Sequence, residues 1–172
     1  AAIMSCDMDN TDKIIRYILE LQRMNVALQP PDINKSFYEF TVPDSKTVSY
    51  GLGAIKGFGE QSAQEIVNER EARGPFQSLT DLAQRLNLQK FGRKNLELLA
   101  QTGALDQFGY KRDELIEFIP QLIKYSDNHH NAQDLGQGGL FDDENETSDD
   151  DSSLTMPRKV SSAEQANFDD LC

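Results

Sequence analysis

The sequence has little cysteine and no long hydrophobic run. Its two cysteines, Cys6 and Cys172, lie near opposite ends and form no CxxC pair, so we expect neither a zinc site nor a disulfide framework. No apolar run approaches the ~20 residues that a membrane-spanning helix needs, and no secretory signal pattern opens the chain. These absences favour a cytoplasmic protein without a membrane partner. The chain opens on residues 1–4 as if within an element, which favours a piece of a longer protein.

Positive charge is also scarce, with a formal net charge of −12 over 172 residues. The acidity is unevenly distributed, because residues 126–172 carry twelve acidic and two basic side chains. Residues 46–112 carry ten basic and seven acidic side chains and form the only net-positive segment. The overall charge therefore does not exclude a nucleic-acid partner, since local fields decide such binding.

The net-positive segment contains a glycine-rich turn that runs into a helical pattern over residues 61–70. Gly57 and Gly59 can take the positive φ angles of a sharp turn, while Phe58 fills the space between two helices. The free backbone N–H groups and the positive end of the next helix would then converge on one anion, such as a phosphate. Lys56 adds a mobile cation. The pattern predicts a helix-hairpin-helix, and its alternative is an ordinary glycine-rich helix end.

A looser copy of this pattern follows. Residues 78–81 have the form of a capping box that starts a helix, residues 88–92 would form a second turn, and residues 93–101 a further helix that stops at Gly103. This second unit lacks the paired glycines, so its phosphate contact would depend on basic side chains, whose alternative role is a solvated basic face. The basic candidates are Lys90, Arg93 and Lys94.

The flanking regions complete a mainly α fold class, a tandem helix-hairpin-helix domain with a small β-hairpin. A helix is predicted over residues 10–24, and two short strands over 36–40 and 47–50 with a turn at 43–45 between them. Residues 111–125 form another helix that Pro120 would kink or split. Residues 126–172 have the composition of a flexible acidic tail.

Two groups of residues in this tail are candidate sites. Gln137, Leu140 and Phe141 place an apolar pair and an amide in a polar segment, where folding gives no reason for them, and this favours a peptide ligand for another protein. A metal site is not expected, because neighbouring histidines in a polar loop rarely converge on one ion. The candidate ligands for such a site are Asp127, His129, His130 and Asp134.

Four separated blocks, in matching order and spacing, resemble the alpha subunit family of bacterial DNA polymerase III. They are residues 8–13, 30–34, 50–57 and 102–106, and the resemblance covers about residues 1–141. It implies the end of a fingers domain over 1–34 and a connector over 35–49. It further implies a tandem helix-hairpin-helix domain over 50–110, a helix over 111–125, and a linker over 126–172 with a sliding-clamp peptide at 137–141.

The resemblance also implies roles. Lys56, Gly57, Phe58 and Gly59 would grip the duplex backbone without reading sequence, and Gln137, Leu140 and Phe141 would dock on the sliding clamp (the beta subunit). Other polymerase III holoenzyme subunits would be further partners. The Mg²⁺-binding catalytic aspartates of the family lie in a palm domain that this chain lacks, so this DNA-directed DNA polymerase fragment is expected to be inactive alone and to need no cofactor.

The sequence leaves two other functions open. The hairpins would serve as a packing module of the polymerase if they did not contact DNA. A helix-hairpin-helix repair enzyme, such as a glycosylase or ligase, would need a catalytic Lys and Asp pairing or a cysteine cluster, and the cysteine cluster is absent.

Overall fold

The computed structural model describes residues 1–8, 10–136 and 157. Helices dominate this part of the chain, and a small sheet lies before the hairpin region, so the mainly α class is confirmed. The helices are α1 Ala2–Cys6, α2 Thr11–Arg23, α3 Glu60–Arg73, α4 Leu79–Arg85, α5 Leu88–Phe91, α6 Arg93–Gln101 and α7 Arg112–Gly136. Two single 3-10 turns occur at Leu52–Ala54 and Asp106–Phe108.

Side-chain capping starts three of these helices, two of them at positions where the sequence predicts a helix start. Asn10 accepts a hydrogen bond from the backbone N–H of Lys13 and begins α2. Ser78 accepts from the N–H of Asp81 and begins α4, and Asn87 begins α5 in the same way. Each cap satisfies an N–H group that the helix itself leaves without an acceptor.

The sheet has three strands, where the sequence predicted two. β1 (Ala27–Gln29) pairs parallel with β3 (Thr47–Ser49), and β2 (Thr41–Asp44) pairs antiparallel with β3, so the order is β1-β3-β2. The prediction of a strand over 36–40 was wrong, and so was the turn at 43–45. The chain turns at residues 45–46, where the Asp44 carboxylate accepts a hydrogen bond of 2.8 Å from the Lys46 N–H and closes a two-residue loop.

Two apolar clusters hold the fold. The smaller one packs α1 and α2 against the sheet around four buried residues, Met4, Ile14, Phe40 and Val48. The larger one fills the space among α3, α4, α5, α6 and α7, and its centre consists of side chains that are fully or almost fully buried. Tyr50 packs against both clusters and so joins the sheet to the hairpin region.

Helix α7 is longer than predicted. It was expected over 111–125 and runs from Arg112 to Gly136, so the prediction of a flexible tail from residue 126 was wrong as far as residue 136. Pro120 lies inside α7 and does not divide it. The buried residues on both sides of it, such as Ile119 and Leu122, keep both halves packed. His129 and His130 therefore lie on a helix and not in a loop.

No helix within the described residues has both the length and the apolar character required to span a bilayer.

Candidate nucleic-acid interface

The first predicted turn separates buried from exposed residues. Ile55 and Phe58 are 4% and 5% exposed and belong to the larger apolar cluster, whereas Lys56, Gly57 and Gly59 are exposed. The two apolar side chains anchor the loop, and this anchoring turns its backbone and its lysine towards solvent. The element before the turn is only a 3-10 turn, so the first of the two expected helices is shortened to three residues.

The two glycines of this turn differ. Gly57 has φ +86°, which is the left-handed region that favours glycine. Gly59 has φ −81°, so the prediction that both glycines take positive φ was wrong for Gly59. A Cβ atom built on Gly59 meets no atom within 4 Å, so the fold itself does not require a glycine there.

Gly59 is the N-cap of α3, and no side chain caps this helix. The first N–H groups of α3 therefore face the open space in front of Gly59 without a capping acceptor. Together with the helix dipole they can accept an anion. The first helical residue, Glu60, is exposed and acidic, and its charge opposes an anion at this point.

The second turn repeats this arrangement with different side chains. Residues 88–92 were predicted as a turn, but Leu88–Phe91 form the short helix α5 and only Gly92, with φ +92°, makes the turn. Gly92 is also the N-cap of α6 and offers no capping side chain. The three basic candidates of this unit are all exposed: Lys90, Arg93 and Lys94.

The two turns are copies in contact with each other. Phe58 and Phe91 stand one residue before the glycine N-caps, 33 positions apart, and their ring centroids are 6.2 Å apart. Ser62 and Asn95 occupy equivalent positions in α3 and α6, and the Asn95 amide donates a hydrogen bond of 2.8 Å to the Ser62 hydroxyl. Contacts between equivalent residues indicate an approximate twofold axis between the two hairpins.

Lys94 lies beside the first turn, although it belongs to the second unit. Its Nζ is 3.5 Å from the position of a Cβ built on Gly57. The sequence assigned Lys94 to the second turn, and the contact between the two units could not be read from it. The structure thus places Lys94 with Lys56 and Gly57 at one turn, and leaves Lys90 and Arg93 at the other.

Several basic residues of the net-positive segment are already engaged in the fold. The buried Arg70 donates to the Ile33 carbonyl at 2.9 Å and lies over the Phe37 ring. Arg85 donates to the carbonyls of Glu69 and Gly74 at 2.9 and 2.8 Å. The charge count over 46–112 therefore overstates the cations that are available to a ligand.

Carboxylates modify the remaining positive surface. Arg93 forms an ion pair of 2.6 Å with Glu97, one turn along α6, which draws part of its charge away from the turn. Partial burial raises the pKa of Glu65 on α3, and the charge of Lys90 opposes that rise. The Arg93–Glu97 pair has the i,i+4 spacing that a helical sequence can reveal, whereas the relation between Glu65 and Lys90 depends on how α3 and α5 pack.

The predicted clamp-binding residues Gln137, Leu140 and Phe141 lie outside the described residues, immediately after the end of α7. His129 and His130, considered above for a metal, are edge to face with ring centroids 5.6 Å apart.

The paired turns, each with a buried Phe, a glycine N-cap and a following helix, define a tandem helix-hairpin-helix protein. A family model described as the helix-hairpin-helix motif matches residues 25–115, which is more than half of the chain, and the chain belongs to this family.

More specific similarity extends over 141 residues, or 82% of this chain. The chain is 40% identical to the DNA polymerase III subunit alpha of Escherichia coli strain K12. It is 37% identical to that of Vibrio cholerae and 41% identical to that of Buchnera aphidicola subsp. Schizaphis graminum. The matched region spans only 12% of the length of each relative. The predicted resemblance to the alpha subunit family is confirmed.

Proposed function

We propose that this chain grips the backbone of duplex DNA, without reading base sequence, as part of a replicative DNA polymerase alpha subunit. One observation carries the proposal: two glycine-capped helix starts lie side by side, and the ammonium group of Lys94 stands 3.5 Å from the Cβ position of Gly57. Free N–H groups, helix dipoles and exposed cations are the groups that bind phosphate.

The approximate twofold relation between the hairpins supports a duplex as the ligand. The two antiparallel strands of DNA are themselves related by local twofold axes, so two equivalent turns can each meet one strand. The groups that the two turns offer are backbone N–H groups and cations, and contacts to phosphates alone carry no sequence information. Binding is therefore independent of base sequence and sensitive to salt.

The test is a salt titration of the full 172-residue chain with fluorescent duplex and single-stranded DNA of scrambled sequence. We expect duplex affinity to fall linearly on a logarithmic salt scale and to be equal for all sequences. If the folded chain fails to bind duplex DNA at low salt, the hairpins are a packing module and the proposal is wrong.

The polymerase context supplies the rest of the proposal. The chain would act in the cytoplasm within a nucleotidyltransferase whose catalytic aspartates and Mg²⁺ lie in another domain, and alone it would not extend a primer. Gln137, Leu140 and Phe141 would dock on the sliding clamp, which raises the effective concentration of the polymerase on DNA. Other holoenzyme subunits would bind elsewhere on the complete subunit.

Clamp docking is tested separately by Leu140→Ala with Phe141→Ala. We expect this double variant to lose clamp capture while its duplex affinity stays unchanged, because the two apolar side chains are the anchors of the peptide. Capture of the clamp at the wild-type level by this variant would exclude the docking role.

A further inference from the structure

Ser126 of α7 lies at the start of the second hairpin, although it is 38 positions from it in sequence. It is fully buried, and its hydroxyl oxygen accepts a hydrogen bond of 3.1 Å from the Leu88 N–H. The same hydroxyl donates a bond of 3.0 Å to the Leu86 carbonyl. One side chain thus satisfies two buried backbone groups on both sides of the junction between α4 and α5.

Apart from α7, the junction is held by the Asn87 cap and by a few backbone bonds at its two ends. Leu86 is the C-cap of α4 and Leu88 is the first residue of α5, which is a single turn of four residues. Such a short helix has almost no bonds of its own, because its first N–H groups have no intrahelical acceptor. The neighbouring Tyr125 adds a third contact, since its hydroxyl accepts a bond of 2.8 Å from the Gln84 amide.

Helix α5 leads directly into the second turn at Gly92. Lys90 lies two residues after Leu88, and Phe91 packs against Phe58 of the first turn just before Gly92. A shift of α5 would move the lysine and the glycine N-cap of α6 together. We propose that Ser126 is a positioning residue for DNA binding by the second hairpin, an inference that rests on the proposed function.

The test uses Ser126→Ala in the full chain. Without the hydroxyl, the Leu88 N–H and the Leu86 carbonyl lose their partner, and buried groups in that state are costly. We expect duplex affinity at low salt to fall about fivefold, a size typical of residues that act through a neighbour. The salt slope should become shallower by about one unit, because one phosphate contact is lost.

A double-mutant cycle separates positioning from general stability. If Ser126 acts through Lys90, the loss caused by Ser126→Ala should largely disappear in a Lys90→Ala background. Ser126→Cys, which keeps a weak donor and acceptor, should recover part of the salt slope. The matched control is Ser36→Ala, because Ser36 is also fully buried and its hydroxyl accepts from the backbone N–H of Asp32 at 3.0 Å. This control should lower the Tm and leave the slope unchanged.

Amide hydrogen exchange provides a readout without DNA. We expect faster exchange over residues 88–92 in Ser126→Ala, with residues 57–60 unchanged. A lower Tm with wild-type affinity, slope and exchange over 88–92 would reduce Ser126 to a packing residue and overturn the inference. If the wild-type chain binds no DNA, the proposed function fails. Faster exchange over residues 88–92 in Ser126→Ala would still show that Ser126 holds α5 and the second turn in place.

Discussion

The two hairpins share a backbone plan and differ in how they present charge. The first has a glycine at φ +86° followed by a second glycine as N-cap, and its first helical residue is the acidic Glu60. The second has the single glycine Gly92, followed by the basic Arg93. A phosphate at the first turn would be held mainly by backbone N–H groups, and one at the second mainly by side chains.

Lys94 changes this comparison, because it brings a cation of the second unit to the first turn. The backbone-rich turn is therefore not without positive charge, and the two turns are not independent of each other. Duplicated units in contact can divide their functions in this way, since each needs to keep only part of the binding chemistry.

Reversal of charge on α6 should have the largest effect. Arg93→Glu with Lys94→Glu removes cations from both turns, and we expect duplex affinity at low salt to fall roughly 30-fold with a shallower salt slope. Arg16→Glu with Arg23→Glu on α2 is the matched control, because both residues are exposed and lie outside the hairpins. An equal loss from the control pair would show that only net charge matters.

Substitution of each glycine of the first turn by alanine should separate effects on fold stability from effects on DNA affinity. Gly57→Ala should destabilise the fold by about 1–2 kcal/mol, because its φ is in the left-handed region. Gly59→Ala should cost only about 0.5 kcal/mol, the scale of an N-cap change from glycine, and yet weaken duplex binding, since the new Cβ stands before the uncapped N–H groups. Thermal unfolding and DNA titration of both variants check this. Wild-type affinity for Gly59→Ala would argue against a phosphate at this helix start.

Removal of the acidic residue at the first turn should have a smaller and opposite effect. Glu60→Gln takes a negative charge away from the proposed phosphate, and we expect about a twofold to threefold gain in duplex affinity at low salt. Glu71→Gln, an exposed position in the last turn of the same helix, should leave affinity unchanged. An equal gain in duplex affinity for both variants would show that Glu60 has no specific effect on binding at the first turn.

The smallest effect concerns stability and pH. The pKa of Glu65 is raised by burial, so the folded state holds this proton more tightly than the unfolded state and loses stability as the pH rises through the folded pKa. Glu65→Gln has no such loss, and its advantage in Tm over the wild type should be larger at pH 7 than at pH 4. An advantage that is constant across this range would contradict the raised pKa.

Local patterns in the sequence predicted a large part of the fold. Asn10 and Ser78 start helices where their side chains can cap the first turn, and α6 has the predicted bounds of residues 93–101. The sheet was only partly predicted, because β1 is three residues long and finds its partner 20 positions away. Such a short strand has no periodicity of its own to reveal it.

The sequence by itself determined where the glycine turns at Gly57 and Gly92 lie and which apolar residues are buried beside them. These features follow from local requirements. A positive φ favours glycine, and the exclusion of water favours an apolar residue before each N-cap and a periodic apolar stripe along each helix. Tertiary structure alone decided that Lys94 joins the first turn, that Arg70 and Arg85 serve the fold, and that Ser126 holds the second hairpin. The contacts of Lys94, Arg70 and Ser126 join residues 33 to 40 positions apart, and those of Arg85 depend on how two helices pack. No local pattern encodes which distant face a side chain will meet.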